Sequence, residues 1–169
     1  LSATISSNTY NLSTNSRFRF SGTANNDNEL NYFDDIVITA VPAPANDNCT
    51  NAISLTPSEL CAPTFGSTTY ATQSLTGCTG TADDDVWYSF NATSTDHDVL
   101  VDPTTLNDAV IEIFDSCGGT SLGCEDSTGG SSSETLSITG LTVGNNYYVR
   151  VYSYSNGSSV QGEFDICIL

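Results

Sequence analysis

Short runs of β-branched and aromatic residues recur along this chain, separated by clusters of Gly, Asn, Asp and Ser. Side chains of a strand point alternately to its two faces, so such runs read as strands and the clusters between them as turns. After residue 50 the pattern predicts strands at Ala52–Thr56, Thr68–Gln73, Val86–Asn91, Asp98–Val101, Val110–Phe114, Thr135–Ile138, Tyr147–Tyr152 and Glu163–Leu169. Gly77, Gly118-Gly119, Gly129-Gly130, Gly144 and Asn156-Gly157 punctuate them. No window of helical length carries a clean 3.6-residue period. The fold class is therefore all-β, and so many short strands predict a β-sandwich. Leu141 and Tyr147 fit a tyrosine corner, in which the hydroxyl bonds back to the preceding connection.

Before the first of these strands, Ala3-Thr4-Ile5, Ser16–Phe20 and Tyr32–Ile38 also read as strands, around the turn Asn25-Asn26-Asp27-Asn28-Glu29. Three strands cannot easily bury a two-sheet core alone. Pro42 and Pro44 stiffen a short tether at residues 42–45. The division expected is residues 1–41 as terminal strands of a second, incomplete β element or an assembly segment, 42–45 as a linker, and 46–169 as the sandwich.

Charge narrows the partners. The chain has 169 residues with 3 Lys+Arg against 20 Asp+Glu, a formal net charge of −17. So acidic a surface repels phosphate backbones and anionic lipid, which argues against nucleic acid and polybasic membrane docking. No stretch approaches the ~18 apolar residues of a membrane span. The first residue is Leu1, so the chain reads as the product of leader removal or as a portion of something longer.

The 6 cysteines include no CxxC pair and accompany a single His, so disulfides fit better than zinc. Disulfides imply an oxidising, extracellular setting. Fifteen connectivities exist for six cysteines. Loop length favours Cys117–Cys124 and Cys61–Cys78 as the shortest closures, leaving Cys49–Cys167 to tie the first strand to the last.

Asn46-Asp47-Asn48-Cys49, Asn51-Ala52-Ile53 and Asp85–Phe90 resemble motifs of the bacterial pre-peptidase C-terminal domain family. Asp108–Cys117, Cys124-Glu125-Asp126 and Gly144–Val151 fit the same pattern, in order, across residues 46–169. The chain is especially similar to copies in secreted proteins that use the type IX export route. The resemblance implies a jelly-roll-like sandwich, calcium-stabilised and without catalysis of its own. It would pair Asp84 and Asp85 with Asn46 and Asp47 as calcium ligands, since hard carboxylate and carbonyl oxygens suit that ion. Asp108, with Glu125 and Asp126, makes a second candidate site. Residues 1–41 resemble the closing strands of a MAM-like or carbohydrate-binding jelly roll, where Asp27, Asp34 and Asp35 could hold another ion.

Other features carry less chemistry. Tyr148, Tyr152 and Tyr154 are in even register, so in a regular strand they would share a face able to stack on sugars or on a neighbouring subunit. Trp87 is assigned to the core. His97 reads as an exposed turn residue, and Gly119–Gly123 matches GxSxG without the strand–turn–helix elbow that the motif needs. Asp126-Ser127-Thr128 resembles a bacterial O-glycan acceptor.

Three functions follow as expectations. The first is an accessory or adhesion module of a larger secreted protein, holding it to polysaccharide, protein or a cell surface. The second is a self-associating subunit of an extracellular filament, assembled by strand addition through residues 1–41. The third is the C-terminal fragment of a secreted protease or glycosidase.

Overall fold

The computed structural model describes residues 41–169; the strands expected before the linker lie outside the described residues. A single 3-10 turn at Cys49–Asn51 precedes β1 (Ile53–Leu55), β2 (Thr64–Ser67), β3 (Val86–Asn91), β4 (His97–Pro103) and β5 (Ala109–Phe114). Then come β6 (Ser121–Glu125), β7 (Glu134–Ile138), β8 (Asn146–Ser153) and β9 (Glu163–Ile168). They form a five-stranded sheet in the order β1-β3-β8-β5-β6 and a four-stranded sheet in the order β2-β9-β4-β7. The protein is an all-β, disulfide-linked sandwich, as the alternation predicted.

Alternation explains the core. Val86, Tyr88 and Phe90 of β3, Val149 and Val151 of β8, and Ile111 and Ile113 of β5 turn inward. They meet Val99 and Val101 of β4 and Phe164, Ile166 and Ile168 of β9 in one buried cluster. Each such side chain contributes roughly 1.5–3 kcal/mol by leaving water. The tyrosine corner is present: the Thr142 N–H donates to the Tyr147 hydroxyl at 2.9 Å.

The residues between these should face solvent, yet Trp87, Glu112, Phe114, Arg150 and Tyr152 are buried too. The long connection from β2 to β3 crosses that outer face and covers them. Arg150 donates to the carbonyls of Leu75 and Thr76, each at 2.9 Å, and the Tyr152 hydroxyl donates to the Thr79 carbonyl at 2.8 Å. Trp87 Nε1 donates to Ser74 Oγ at 2.9 Å. Trp87 thus belongs to a second layer outside the five-stranded sheet, and not to the core between the sheets.

This covering connection corrects the strand expected at Thr68–Gln73. Its threonines suit a strand, but Tyr70 has φ 65°, which breaks the extension. Donors of this segment go to side chains instead of a neighbouring strand: Tyr70 N–H to the Gln161 amide oxygen and Thr72 N–H to Asp47. The strand falls earlier, at β2, where Gly66 fits tightly beneath Tyr88 and Phe164. The segment read as a bridge-closed loop between Cys117 and Cys124 contains β6, which pairs with β5.

All three expected disulfides are replaced by others: Cys49–Cys117, Cys61–Cys167 and Cys78–Cys124. Cys117 lies past the tip of β5, whereas Cys124 sits down β6 opposite Glu112. Three strand steps span about 10 Å, beyond the ~7 Å between Cα atoms that a disulfide tolerates. Cys61–Cys78 fails for another reason. Cys61 borders the four-stranded sheet, beside Cys167 at a Cα distance of 5.6 Å. Cys78 lies in the covering connection on the far side of the sandwich and reaches Cys124, at 6.3 Å.

Candidate functional site

Antiparallel pairing brings alternate connections to the same end of a sandwich. Here those after β2, β4, β6 and β8 gather together and are laced by backbone hydrogen bonds. Tyr154 N–H donates to Asp108 O at 2.7 Å, and Asp108 N–H to Gly130 O at 2.6 Å. Thr81 N–H donates to Tyr154 O at 2.8 Å, and Asn107 N–H to Val160 O at 3.1 Å.

Three kinds of unusual feature coincide at this end. Tyr70 and Asp108, the two non-glycine residues of positive φ among those described, are both here, at 65° and 60°. Asp tolerates that conformation through local hydrogen bonds, but Tyr has no such compensation, and the cost is roughly 1–2 kcal/mol. Of the five buried side-chain polar atoms without a partner among the described residues, three are here: Asp83 Oδ1, Asp108 Oδ1 and Gln161 Nε2. Buried polar atoms are normally paired, and these three have no partner among the described residues. The Tyr70 N–H donates to Gln161 Oε1 at 3.1 Å, which ties the strained tyrosine to that amide. Tyr70 and Tyr154 are large apolar side chains left exposed, at 42% and 41%.

The carboxylates at this end differ in character. Asp84 is fully buried and accepts from the N–H and hydroxyl of Ser153, both at 2.9 Å. Burial outweighs those bonds and pushes its carboxyl up to about 6. Asp126 is also raised, first by desolvation and then by the nearby charges of Asp108, Glu134 and Glu125. Glu134 is buried and holds the β6–β7 turn through the N–H and hydroxyl of Thr128, both at 2.6 Å.

The expected calcium ligands do not converge. Asp85 is engaged by Arg150 at 2.9 Å and by the Ser74 hydroxyl at 2.8 Å. Asp47 accepts from the Thr72 hydroxyl at 2.8 Å, and Asn46 Nδ2 donates to the Trp87 carbonyl at 3.0 Å. These three anchor the covering connection and the start of β3, while Asp84 turns to Ser153. Among the described residues, no three His, Cys, Asp or Glu side chains gather as a group that could hold a metal ion. Asp108 has a buried oxygen without a partner among the described residues, and its charge is among those that raise Asp126.

The expected tyrosine face does not form. Tyr148 and Tyr152 do point to the same side of β8, but the covering connection removes Tyr152 from solvent, and Tyr154 lies beyond the strand's end. His97 is buried, contrary to expectation. Its Nε2 accepts from the N–H groups of Thr93 and Ser94, both at 3.2 Å, and Nδ1 lies 2.7 Å from the Leu169 carbonyl. Ser121 of the GxSxG string begins β6, on a strand with no elbow. Sequence reasoning missed Tyr70 and Gln161, because no local pattern marks a tyrosine for the left-handed region.

Residues 45–166 match the family described as galactose binding domain-like and associated with T9SS, the type IX secretion system. The chain belongs to that family. Among solved structures, the pre-peptidase C-terminal domain of a collagenase from Bacillus anthracis is similar to it. The two share 17% identity at a TM-score of 0.47, over 78% of this chain and 100% of that one. No curated protein matches the chain significantly. A T9SS-associated family member with three disulfides is an extracellular β-sandwich module of an exported protein. No helix among the described residues is long and apolar enough to cross a membrane.

Proposed function

We propose that this galactose-binding-like module has no catalysis of its own and attaches a larger secreted protein to a glycan through the loop-lined end of the sandwich. One observation carries the reading: the strained Tyr70, the unpartnered Gln161 Nε2 and the unpartnered Asp83 and Asp108 oxygens coincide there. Sugar hydroxyls both donate and accept, so they complement a set holding amide donors and carboxylate acceptors. An exposed tyrosine supplies the flat apolar surface on which a pyranose ring stacks. The net charge of −17 favours neutral or cationic glycans over acidic ones. The family description supports the same class of ligand.

Calcium enters this reading at Asp108 and Asp126, where the ion would relieve carboxylate repulsion and order the loops around them.

The test is titration of the labelled chain with galactose and with a galactan, followed by nuclear magnetic resonance. Amide shifts should concentrate at residues 68–70, 104–108 and 154–163. Gln161→Glu keeps an acceptor for the Tyr70 N–H, removes the Nε2 donor and should weaken binding about tenfold. Shifts confined elsewhere, or no saturable response to either probe, would overturn the proposal.

A further inference from the structure

The outer face of the four-stranded sheet carries a separate arrangement. Register sets Phe65 of β2 opposite Asp165 of β9, and Asp165 opposite Asp102 of β4. The three side chains therefore form a row across neighbouring strands on the face away from the core. The Ser133 hydroxyl extends the row by donating to Asp102 Oδ1 at 2.6 Å. Alongside, Pro63, Leu100 and the Cys61–Cys167 disulfide floor a shallow cavity of about 210 Å³, with Asp102 and Asp165 in its wall. Phe65, opposite Asp165, is 61% exposed.

Two carboxylates directly opposite each other on a sheet repel, and strands lie only about 4.8 Å apart. Among the described residues no cation answers this pair. Arg150, the one described arginine, is buried on the other sheet.

That other sheet exhibits what such a set of groups holds. There Glu112 lies opposite Arg150, whose guanidinium pairs with both Glu112 and Asp85. The rings of Trp87, Phe114 and Tyr152 lie 5.7, 5.6 and 5.0 Å from its central carbon. The outer face of the four-stranded sheet carries two carboxylates, an apolar floor and one aromatic ring, and among the described residues no cation lies there.

We infer that the Phe65–Asp165–Asp102 row is a docking site for an arginine or lysine side chain of a basic partner protein. The aliphatic stem of that side chain covers Leu100 and the disulfide. Its head sits between the two carboxylates, and Phe65 offers a ring face for a cation–π contact. Arginine suits the site better than lysine because its planar fork can bridge both acids at once. The net charge of −17 steers basic partners toward the protein before contact. A neutral glycan would also find Phe65, but it would leave the carboxylate repulsion in place.

The probe is a blocked Gly-Arg-Gly-Arg-Gly peptide, titrated into the labelled full chain at low ionic strength beside its citrulline counterpart. Saturable amide shifts are expected at Phe65, Leu100, Asp102 and Asp165 with the arginine peptide alone. Asp102→Asn with Asp165→Asn should weaken binding at least tenfold, and Phe65→Ala about threefold. Removing that repulsion should leave the melting temperature unchanged or higher, so lost binding would not reflect lost folding. Equal binding of the citrulline peptide, or no shifts on this face, would overturn the inference. Galactose titration of the double aspartate variant keeps the two sites distinct, because a glycan response at the loop end does not involve this row.

Discussion

Arg150 donates to Asp85 across 2.9 Å, and neither side chain is accessible to solvent. Removing the guanidinium leaves Asp85 and Glu112 as uncompensated buried charges beneath the covering connection. Breaking one partner of such a pair costs about 3–5 kcal/mol, a large share of a typical stability of about 5–15 kcal/mol. Arg150→Met is expected to unfold at much lower urea. Adding Asp85→Asn and Glu112→Gln should restore much of the loss. A variant as stable as the parent would show that the pair is immaterial.

Asp84 makes stability fall as pH rises. Its folded value of about 6 lies above the ordinary 3.8, so the folded state holds the proton more tightly than the unfolded one. The stability linked to that proton is fully present below 3.8 and is lost as pH rises through about 6. At 1.36 kcal/mol per pH unit the effect is about 3 kcal/mol. Asp85 is raised in the same direction, chiefly by burial, and adds to the slope. Asp84→Asn keeps an acceptor for the Ser153 N–H and should flatten the profile between about pH 4 and 6. Chemical denaturation at several pH values measures it.

Tyr70→Gly separates strain from binding. Glycine adopts positive φ freely, so the strain of roughly 1 kcal/mol is relieved, partly offset by glycine's greater freedom when unfolded. The melting temperature should hold or rise while the galactan affinity falls at least threefold. A clear drop in melting temperature would make the ring a structural group.

Cys78–Cys124 pins the covering connection over the only tryptophan, Trp87. Replacing both cysteines by serine should loosen that connection, cost about 2–4 kcal/mol and shift Trp87 fluorescence to the red. A non-reduced peptide map should recover Cys49 with Cys117, Cys61 with Cys167, and Cys78 with Cys124. Recovery of Cys117 with Cys124 in one bridge would contradict the topology.

Calcium is tested by melting the chain with and without a chelator. If Asp108 and Asp126 hold the ion, chelation lowers the melting temperature by several degrees, and Asp108→Asn abolishes the difference. A melting temperature indifferent to chelation removes calcium from the reading.

Much of the scaffold could be read directly from local chemistry. The β-branched and aromatic run at Val86–Asn91 forms its strand over those same residues, because strand preference is carried by neighbouring positions. Tyr147 found its corner for a similar reason, its partner Thr142 being five residues away. Even cysteines without metal spacing indicated disulfides. Which cysteines pair is another matter, since it depends on hairpin offsets and on which side of the sandwich each thiol emerges. The same holds for Asp47 and Asp85, which the family resemblance offers as calcium ligands and whose carboxylates accept hydrogen bonds from Thr72 and Ser74. Tyr70 reads as a strand residue until the connection around it must turn. Phe65, Asp165 and Asp102 are far apart in the chain and become a row only through the register of β2, β9 and β4. Periodicity is written residue by residue; pairing between distant segments emerges when two sheets close on a shared core.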